Sequence, residues 1–354
     1  MLRRPEIFDD DHLPRQLLHR DAATTQLLEA LDPGPDGSTR GHAVVAGPSG
    51  VGKTALLKYC SRTLERERDI DEAYVRCLGS TTGTVLRETI AALDRGPDEI
   101  AHNRPLEAVV DDLHSAVDGT AVVVLDEADD VDDRAVEILT DIRGVSVCLI
   151  CHEPARWYSS ADPEVRDRLR AGTELSLERY GVSELADILE RRAQVGLTPG
   201  AVERGQLECI ADDVAGVARD GIQTLRAAAE LATEAGRDHI VDADLEAGRA
   251  RAERAIREAN LRSLPFRYQF LYAVIQSAGE VSSSAIYDHY EQVGDRVWDG
   301  RPGTPPSRRT IRGHLEKLRE YDLIESADSV HRPTDPSLEP AHGDVSMEVG
   351  QPRQ

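Results

Sequence analysis

Three observations predict an α/β fold on a parallel sheet, followed by a helical domain and a small terminal domain suited to a polyanion. Apolar runs of strand length recur at 43–46, 73–77, 121–125, 145–151 and 174–177, each separated by enough chain for a crossover helix. The first run leads directly into the glycine-rich octapeptide Gly47-Pro48-Ser49-Gly50-Val51-Gly52-Lys53-Thr54. The chain carries a net charge of −23, yet residues 301–319 hold six basic side chains against one acid, Glu316.

The octapeptide has the composition of a phosphate cradle. Gly47 and Gly52 bracket a loop whose backbone N–H groups can turn inward, and the helix predicted over 55–64 points its positive end at the anion. Lys53 is placed to reach the β- and γ-phosphates and Thr54 to offer a hydroxyl to Mg²⁺. A strand before the loop and a helix after it are the context this motif requires. The run at 121–125 ends in Asp126-Glu127, at the carboxyl end of a buried strand where open α/β sheets bind ligands. Asp126 is the candidate to hold the metal with Thr54, and Glu127 to orient or deprotonate water. With the 73–77 strand lying between loop and acids in sequence, the order is that of the additional-strand class of P-loop ATPases.

Beyond residue 177 the pattern becomes helical. Ser183 is the expected N-cap of a helix reaching Arg192, Thr198-Pro199 of a second, and Asp242 of a third running towards Asn260, with Gly236 as a stop between helices. The 354 residues leave room for two or three domains. No apolar stretch is of membrane-spanning length, and Met1-Leu2-Arg3-Arg4-Pro5 precedes acids rather than a secretory core, so a cytoplasmic protein without a membrane partner is expected. The five cysteines, odd in number and mostly in apolar runs, read as reduced. Cys148-Leu149-Ile150-Cys151-His152 matches a haem-attachment spacing but lies in a strand-like run, and is read as a buried strand.

Only Lys53, Lys58 and Lys317 among the 42 basic residues are lysine. This acidic, lysine-poor composition resembles that of proteins from salt-rich cytoplasm; a GC-rich genome would explain the lysine scarcity but not the acidity. Residues 1–260 carry a net −20 and residues 334–354 a net −3, whereas residues 261–333 are neutral. Within that neutral stretch Ser307 can cap a helix whose Ile311, Leu315 and Leu318 face a core, leaving Arg308, Arg309, Arg312 and His314 on other faces. With a helix at 285–292 before it and 323–326 after it, the region reads as a winged helix. Arg308, Arg309, Arg312 and Lys317 are its candidate DNA contacts.

These motifs, in this order, resemble the archaeal origin-recognition and replication-initiator ATPases of cell-division-control type, in the AAA+ superfamily. The similarity spans residues 5–333. It is carried by Leu13-Pro14-Arg15-Gln16-Leu17-Leu18-His19-Arg20-Asp21, similar to the family's adenine-side segment, by the phosphate loop, and by Leu125-Asp126-Glu127-Ala128-Asp129. Gly216-Val217-Ala218-Arg219 resembles the family's sensor-2 motif. The resemblance implies an ATPase core at 1–177, a helical lid at 178–260 and a winged helix at 261–333, and residues 334–354, rich in Pro, Gly, Asp and Glu, read as a disordered acidic tail. The resemblance also implies that Arg219 approaches the γ-phosphate and reads nucleotide state.

Two positions depart from the family pattern. Cys151-His152 stand where a polar sensor-1 residue is expected, with His152 able to hydrogen-bond a γ-phosphate or water. Asp162-Pro163-Glu164 replaces the Asp-Pro-Arg of the arginine finger, with Arg166 or Arg168 one turn away. Hydrolysis is therefore expected to be slow or nearly absent. The resemblance implies ATP/ADP and Mg²⁺ as cofactors, and double-stranded origin DNA, the replicative helicase and a homo-oligomer on DNA as partners. A second DNA contact is expected from an insertion between Cys77 and Leu106. The rival expectation is a divergent paralogue acting as a DNA-binding transcriptional or plasmid-maintenance regulator with structural nucleotide binding.

Overall fold

The computed structural model describes residues 1–32, 41–68, 70–93, 100–101, 103–298 and 305–340, apart from the Asp295 side chain. The chain divides into two units, Met1–Arg249 and Ala250–Gln354.

The first unit begins with a 3-10 turn, Pro5–Phe8, and α1, Asp21–Leu31. Then follow β1 (Ala43–Ala46), α2 (Lys53–Glu67), β2 (Ile70–Arg76), α3 (Thr82–Ala92), α4 (Leu106–Ala116) and β3 (Thr120–Asp126). The sheet is completed through α5 (Asp133–Asp141), β4 (Val145–Cys151), α6 (Pro154–Ser160), α7 (Pro163–Arg170) and β5 (Thr173–Ser176). All pairings are parallel, in the order β2-β3-β4-β1-β5. β1, β3 and β4 are covered on both faces, which is why they read as unbroken apolar runs. One face packs Val123, Leu125, Val147 and Leu149 with residues of α3 to α7, and the other packs Val45, Val122, Val124 and Ile150 with α1 and α2. Cys148 and Cys151 are buried in β4, where burial pushes both thiols up, so the haem-like spacing is a core strand.

A helical bundle completes this unit, with α8 (Val182–Gly196), α9 (Arg204–Asp213), α10 (Ala218–Glu234) and the start of α11 (Asp242–Ser263). Its core of Leu185, Leu189, Leu207, Ile210 and Leu225 also takes in Ile7 and Phe8, so the N-terminal turn is part of the bundle. Three expected caps move, Asp242 being the first residue of α11, with Val241 N–H before it donating to Asp244 Oδ2 at 3.0 Å. α8 starts after Gly181, whose N–H donates to Glu184 Oε2 at 2.9 Å, and Ser183 lies inside the helix. α9 starts after Glu203, whose N–H donates to Gln206 Oε1 at 3.1 Å, and Thr198-Pro199 precedes it by several residues. Gly236, at φ 71°, terminates the segment after α10 as expected, with Arg237 N–H donating to Ala232 O at 2.9 Å.

The second unit contains α12 (Phe266–Ala278), β6 (Val281–Ser282), α13 (Ser283–Trp298), α14 (Arg308–Glu320), β7 (Ile324–Ala327) and β8 (Val330–Pro333). Its antiparallel sheet runs β6-β8-β7, giving three helices and a hairpin in a winged-helix arrangement. The hairpin turns at Asp328 and Ser329, both at positive φ as a two-residue turn with the strand's own twist requires. His331 ties the sheet together, its Nε2 within 2.8 Å of Ser283 Oγ and its Nδ1 within 2.7 Å of Ser326 Oγ. The division between units falls inside α11, earlier than the expected 260/261 boundary. The tail also differs from expectation at its start. Leu338 is buried, and Tyr272 and Gln276 of α12 donate to Asp335 O and Pro336 O, both at 2.8 Å, so residues 334–340 pack on the domain. The rest of the expected tail, 341–354, lies outside the described residues.

Candidate nucleotide site and nucleic-acid interface

The octapeptide joins β1 to α2 at the carboxyl edge of the sheet. Gly47 sits at φ 144°, and a Cβ there would lie 2.3 Å from Leu177 O, so only glycine lets the loop leave β1 beside β5. Pro48, Ser49, Gly50 and Val51 form the turn and Gly52 precedes the first residue of α2, which puts Lys53 and Thr54 in its first turn. Lys53 Nζ folds back onto the loop, donating to Gly47 O at 2.6 Å and Pro48 O at 2.8 Å.

Parallel pairing of β3 beside β4, and of β4 beside β1, delivers Asp126 to the same edge. Thr54 Oγ1 donates to Asp126 Oδ2 at 2.9 Å, and Glu127 N–H donates to Asp126 Oδ1 at 2.8 Å. Glu127 adopts the left-handed conformation, φ 55°, as the chain turns off the strand. The loop, its lysine, its threonine and the two acids thus converge. Glycines at positive φ, a primary ammonium on the loop and a hydroxyl against a carboxylate fit a magnesium-bound triphosphate.

β2 supplies two residues that the motif reading missed. Tyr74 OH donates to Asp126 Oδ2, the oxygen that Thr54 also uses, while Arg76 pairs with Glu127 Oε1 through Nη2 at 2.7 Å. Burial, with the Asp126 charge beside it, pushes the Tyr74 phenol up and keeps it a donor. Both residues lie on one face of β2 at alternate positions, and the β2–β3 register sets Arg76 opposite Asp126. The strand-like run at 73–77 was visible in sequence; which strand lay alongside was not.

The helical bundle reaches the loop through α10. Arg219 N–H donates to Gly50 O at 3.2 Å, and a Cβ on Gly50 would meet Val217 Cγ1 at 2.5 Å. Gly216, at φ 77°, lets the chain pass Tyr180, where a Cβ would lie 2.1 Å from the carbonyl oxygen. The Arg219 guanidinium pairs with Asp10 at 2.7 Å. From the expected adenine-side segment, Arg20 donates to Glu178 O at 2.7 Å and stacks on Tyr180 at 3.9 Å, fastening the loop's flank to the turn that enters the bundle.

His152 stands one residue past β4, and its backbone N–H, with that of Glu153, is held by the Asp129 carboxylate at 2.8 Å. Cys151 is buried beside it. Asp162 caps α7, accepting from Glu164 N–H at 2.8 Å, so the Asp-Pro-Glu sequence forms a helix start. Arg168 is turned back onto α5, donating to Thr140 Oγ1 at 2.8 Å and pairing with Asp141; Arg166 lies 3.4 Å from Asp167.

In the second unit α14 begins as expected, with Ser307 Oγ accepting from Thr310 N–H at 3.2 Å and Ile311, Leu315 and Leu318 buried. Arg308, Arg309 and Arg312 are exposed around its first turns. No acid occupies the first turn, so two of the cations sit at the positive end of the helix dipole, an arrangement that costs about 0.3–1 kcal/mol each unless an anion arrives. Arg308 pairs with Glu291 of α13 at 2.7 Å. Two side chains depart from expectation. His314 is buried against Tyr268, with ring centroids 4.2 Å apart, instead of lying on an open face. Lys317 has only 12% of its side chain exposed and pairs with Glu320 at 3.2 Å. Its stem is drawn into the domain, which removes it from the open face of α14. Arg301 and the Arg95-Gly96-Pro97-Asp98 part of the expected insertion lie outside the described residues.

Among the described residues no helix is long and apolar enough to cross a membrane. Residues 16–146 match the AAA ATPase domain family and residues 186–250 the Cdc6 AAA+ ATPase-type lid domain. ORC1-type DNA replication protein 9 of Halobacterium salinarum is 31% identical over 333 residues, covering 92% of this chain and 91% of the relative. The Aeropyrum pernix ORC1 protein, solved in complex with DNA, shares the fold with a TM-score of 0.71 at 23% identity over 94% of each chain. The Aeropyrum pernix ORC2 protein, solved in ADPNP-ADP complexes, has a TM-score of 0.63 at 20% identity over 96% of each chain. With that identity over nearly its whole length and a lid of the matching type, the chain belongs to the family of ORC1-type DNA replication proteins.

Proposed function

We propose that this protein is an ATP-binding replication initiator that recognises origin duplex DNA, with the nucleotide acting as a slow switch. The observation that carries the reading is the docking of α10, through Arg219 N–H on Gly50 O, on the same loop that presents Lys53 and Thr54 to the two acids. A lid residue anchored on the loop registers whether a terminal phosphate is present and passes the difference to the bundle it belongs to.

Thr54 and Asp126 are the residues to hold Mg²⁺, which when bound would neutralise phosphate charge. Lys53 exchanges neutral loop carbonyls for anionic phosphate oxygens, so that both partners of the contact carry charge. Glu127 orients water. Asp162-Pro163-Glu164 forms a helix start and Arg168 is turned back onto α5, which supports turnover far below that of a motor ATPase. His152 is the residue nearest the family's sensor-1 position.

Arg308, Arg309 and Arg312 are proposed to contact phosphates and guanine edges in the major groove. The Aeropyrum pernix ORC1 protein, which shares this fold and was solved in complex with DNA, supports DNA as the ligand. The replicative helicase and further copies of this chain on DNA are the proposed protein partners, and the cytoplasm the proposed location. The changed finger and sensor-1 positions favour a second reading, a DNA-binding regulator with structural nucleotide.

Genome-wide occupancy separates the two: an initiator is expected at a repeat cluster where replication begins, and a regulator at promoters. For the nucleotide, Lys53→Ala should abolish retention of labelled ATP and ADP by the purified chain in molar salt. Failure of the wild type to retain nucleotide, with Lys53→Ala behaving identically, would remove the nucleotide from both readings.

A further inference from the structure

Arg219 has its guanidinium on a carboxylate of its own chain. Asp10 Oδ2 accepts from Nη2 at 2.7 Å and from Nε at 2.9 Å, and Asp10 Oδ1 accepts from Gln223 Nε2 at 3.0 Å. Gln223 also donates to Phe8 O at 2.8 Å, and Arg226 pairs with Asp9 at 2.8 Å. Positions 219, 223 and 226 follow the helical repeat, so one stripe of α10 grips residues 8–10. Phe8 is buried in the bundle core, while Asp11 approaches Lys58 of α2 at 3.5 Å. Asp10 therefore sits where the segment passes from the lid helix to the helix that carries the phosphate loop.

We infer that Asp10 is a specificity-determining residue of the nucleotide site: its carboxylate holds Arg219 as an internal substitute for a terminal phosphate, so that triphosphate must compete with it and diphosphate need not. The inference rests on the role of Arg219 proposed above. Side-chain exposures of 26% for Arg219 and 46% for Asp10 make this a weak, water-screened pair. A phosphoryl group brings more charge and more acceptor oxygens than a carboxylate, and displaces it. The backbone of Arg219 stays anchored on Gly50 O, so the exchange asks only for side-chain rotation. Gln223 and Arg226 still hold residues 8–10 on α10 afterwards. The effect of Asp10 is thus confined to the relative affinities of tri- and diphosphate.

The test is titration calorimetry of the full-length chain with MgATP and MgADP, for wild type, Asp10→Asn, Arg219→Ala and Asp9→Asn. Asp10→Asn keeps an oxygen for Gln223 but removes the charge, and is expected to tighten ATP by roughly three- to five-fold while leaving ADP unchanged. Arg219→Ala is expected to abolish the preference for ATP over ADP. Asp9→Asn, which loosens the neighbouring pair with Arg226, is expected to leave the ratio alone. If Arg219→Ala changes the ratio and Asp10→Asn does not, the inference about Asp10 fails and the role of Arg219 stands. An unchanged ratio in Arg219→Ala overturns both. A shift in Asp9→Asn as large as that in Asp10→Asn assigns the effect to the segment and overturns the assignment to Asp10.

Discussion

Arg76 Nη2 lies 2.7 Å from Glu127 Oε1, with Nε of the same guanidinium at 3.1 Å, so the residue placed to activate water is gripped by a neighbouring strand. A carboxylate held by two charge-assisted bonds is less free to turn towards a substrate or a water. Arg76→Ala is therefore expected to raise the single-turnover hydrolysis rate, by roughly three- to ten-fold. A rate equal to or below wild type in a quenched-flow measurement would instead make Arg76 a support for Glu127.

Gly216→Ala is expected to destabilise the first unit by about 2–4 kcal/mol. The position combines φ 77° with a Cβ that would fall 2.1 Å from Tyr180 O, and backbone on the far side cannot yield as a side chain would. Gly236→Ala, also at positive φ but with open space around its Cβ, is expected to cost only about 1 kcal/mol. Denaturant melts of the two variants that gave equal losses would show that crowding at Tyr180 contributes nothing.

The sheet was legible because β1, β3 and β4 are covered on both faces and must be apolar throughout, and the phosphate loop because its chemistry requires fixed spacing. The partners of those residues were not. Tyr74 and Arg76 become part of the site only once β2 is known to lie beside β3, and Asp10 meets Arg219 from the other end of the unit. Ser183 and Thr198 are good capping residues that went unused, because Glu184 and Gln206 reach back to Gly181 and Glu203 instead. His314 was misplaced for a different reason. It lies three residues after Ile311 and four before Leu318, squarely on the buried face of α14, and its polar side chain concealed what periodicity already specified.

That burial gives the second unit an acid-sensitive group. Desolvation, and then the Arg267 charge, lower the His314 pKa from 6.5 to about 3. The unfolded chain takes up a proton near pH 6.5 that the folded domain refuses until far lower pH, so stability present above pH 6.5 is lost on acidification. The slope approaches about 1.4 kcal/mol per pH unit between these limits. Urea melts followed by Trp298 in a Trp157→Phe background should show it, and His314→Leu should flatten that limb. An acid limb equally steep in the variant would place the sensitivity elsewhere.

Glu291 holds Arg308 at 2.7 Å on an exposed flank of α14, and any phosphate that engages Arg308 must first break this pair. The exposed pair itself is worth about 0–1 kcal/mol, but the Glu291 charge also repels the DNA backbone directly. Glu291→Gln is therefore expected to tighten duplex DNA by roughly three- to ten-fold at low salt, and to lose most of that gain in molar salt, where the screening length is about 3 Å. Arg309 and Arg312 have no such competitor among the ion pairs of the described residues, so Arg309→Ala and Arg312→Ala should weaken binding more than Arg308→Ala does. Lys317→Ala, at a side chain already paired with Glu320, should weaken it least. Fluorescence anisotropy across a salt series ranks all of these variants together. A Lys317→Ala loss matching that of Arg312→Ala would mean that DNA approaches a face of α14 other than the one carrying Arg308, Arg309 and Arg312.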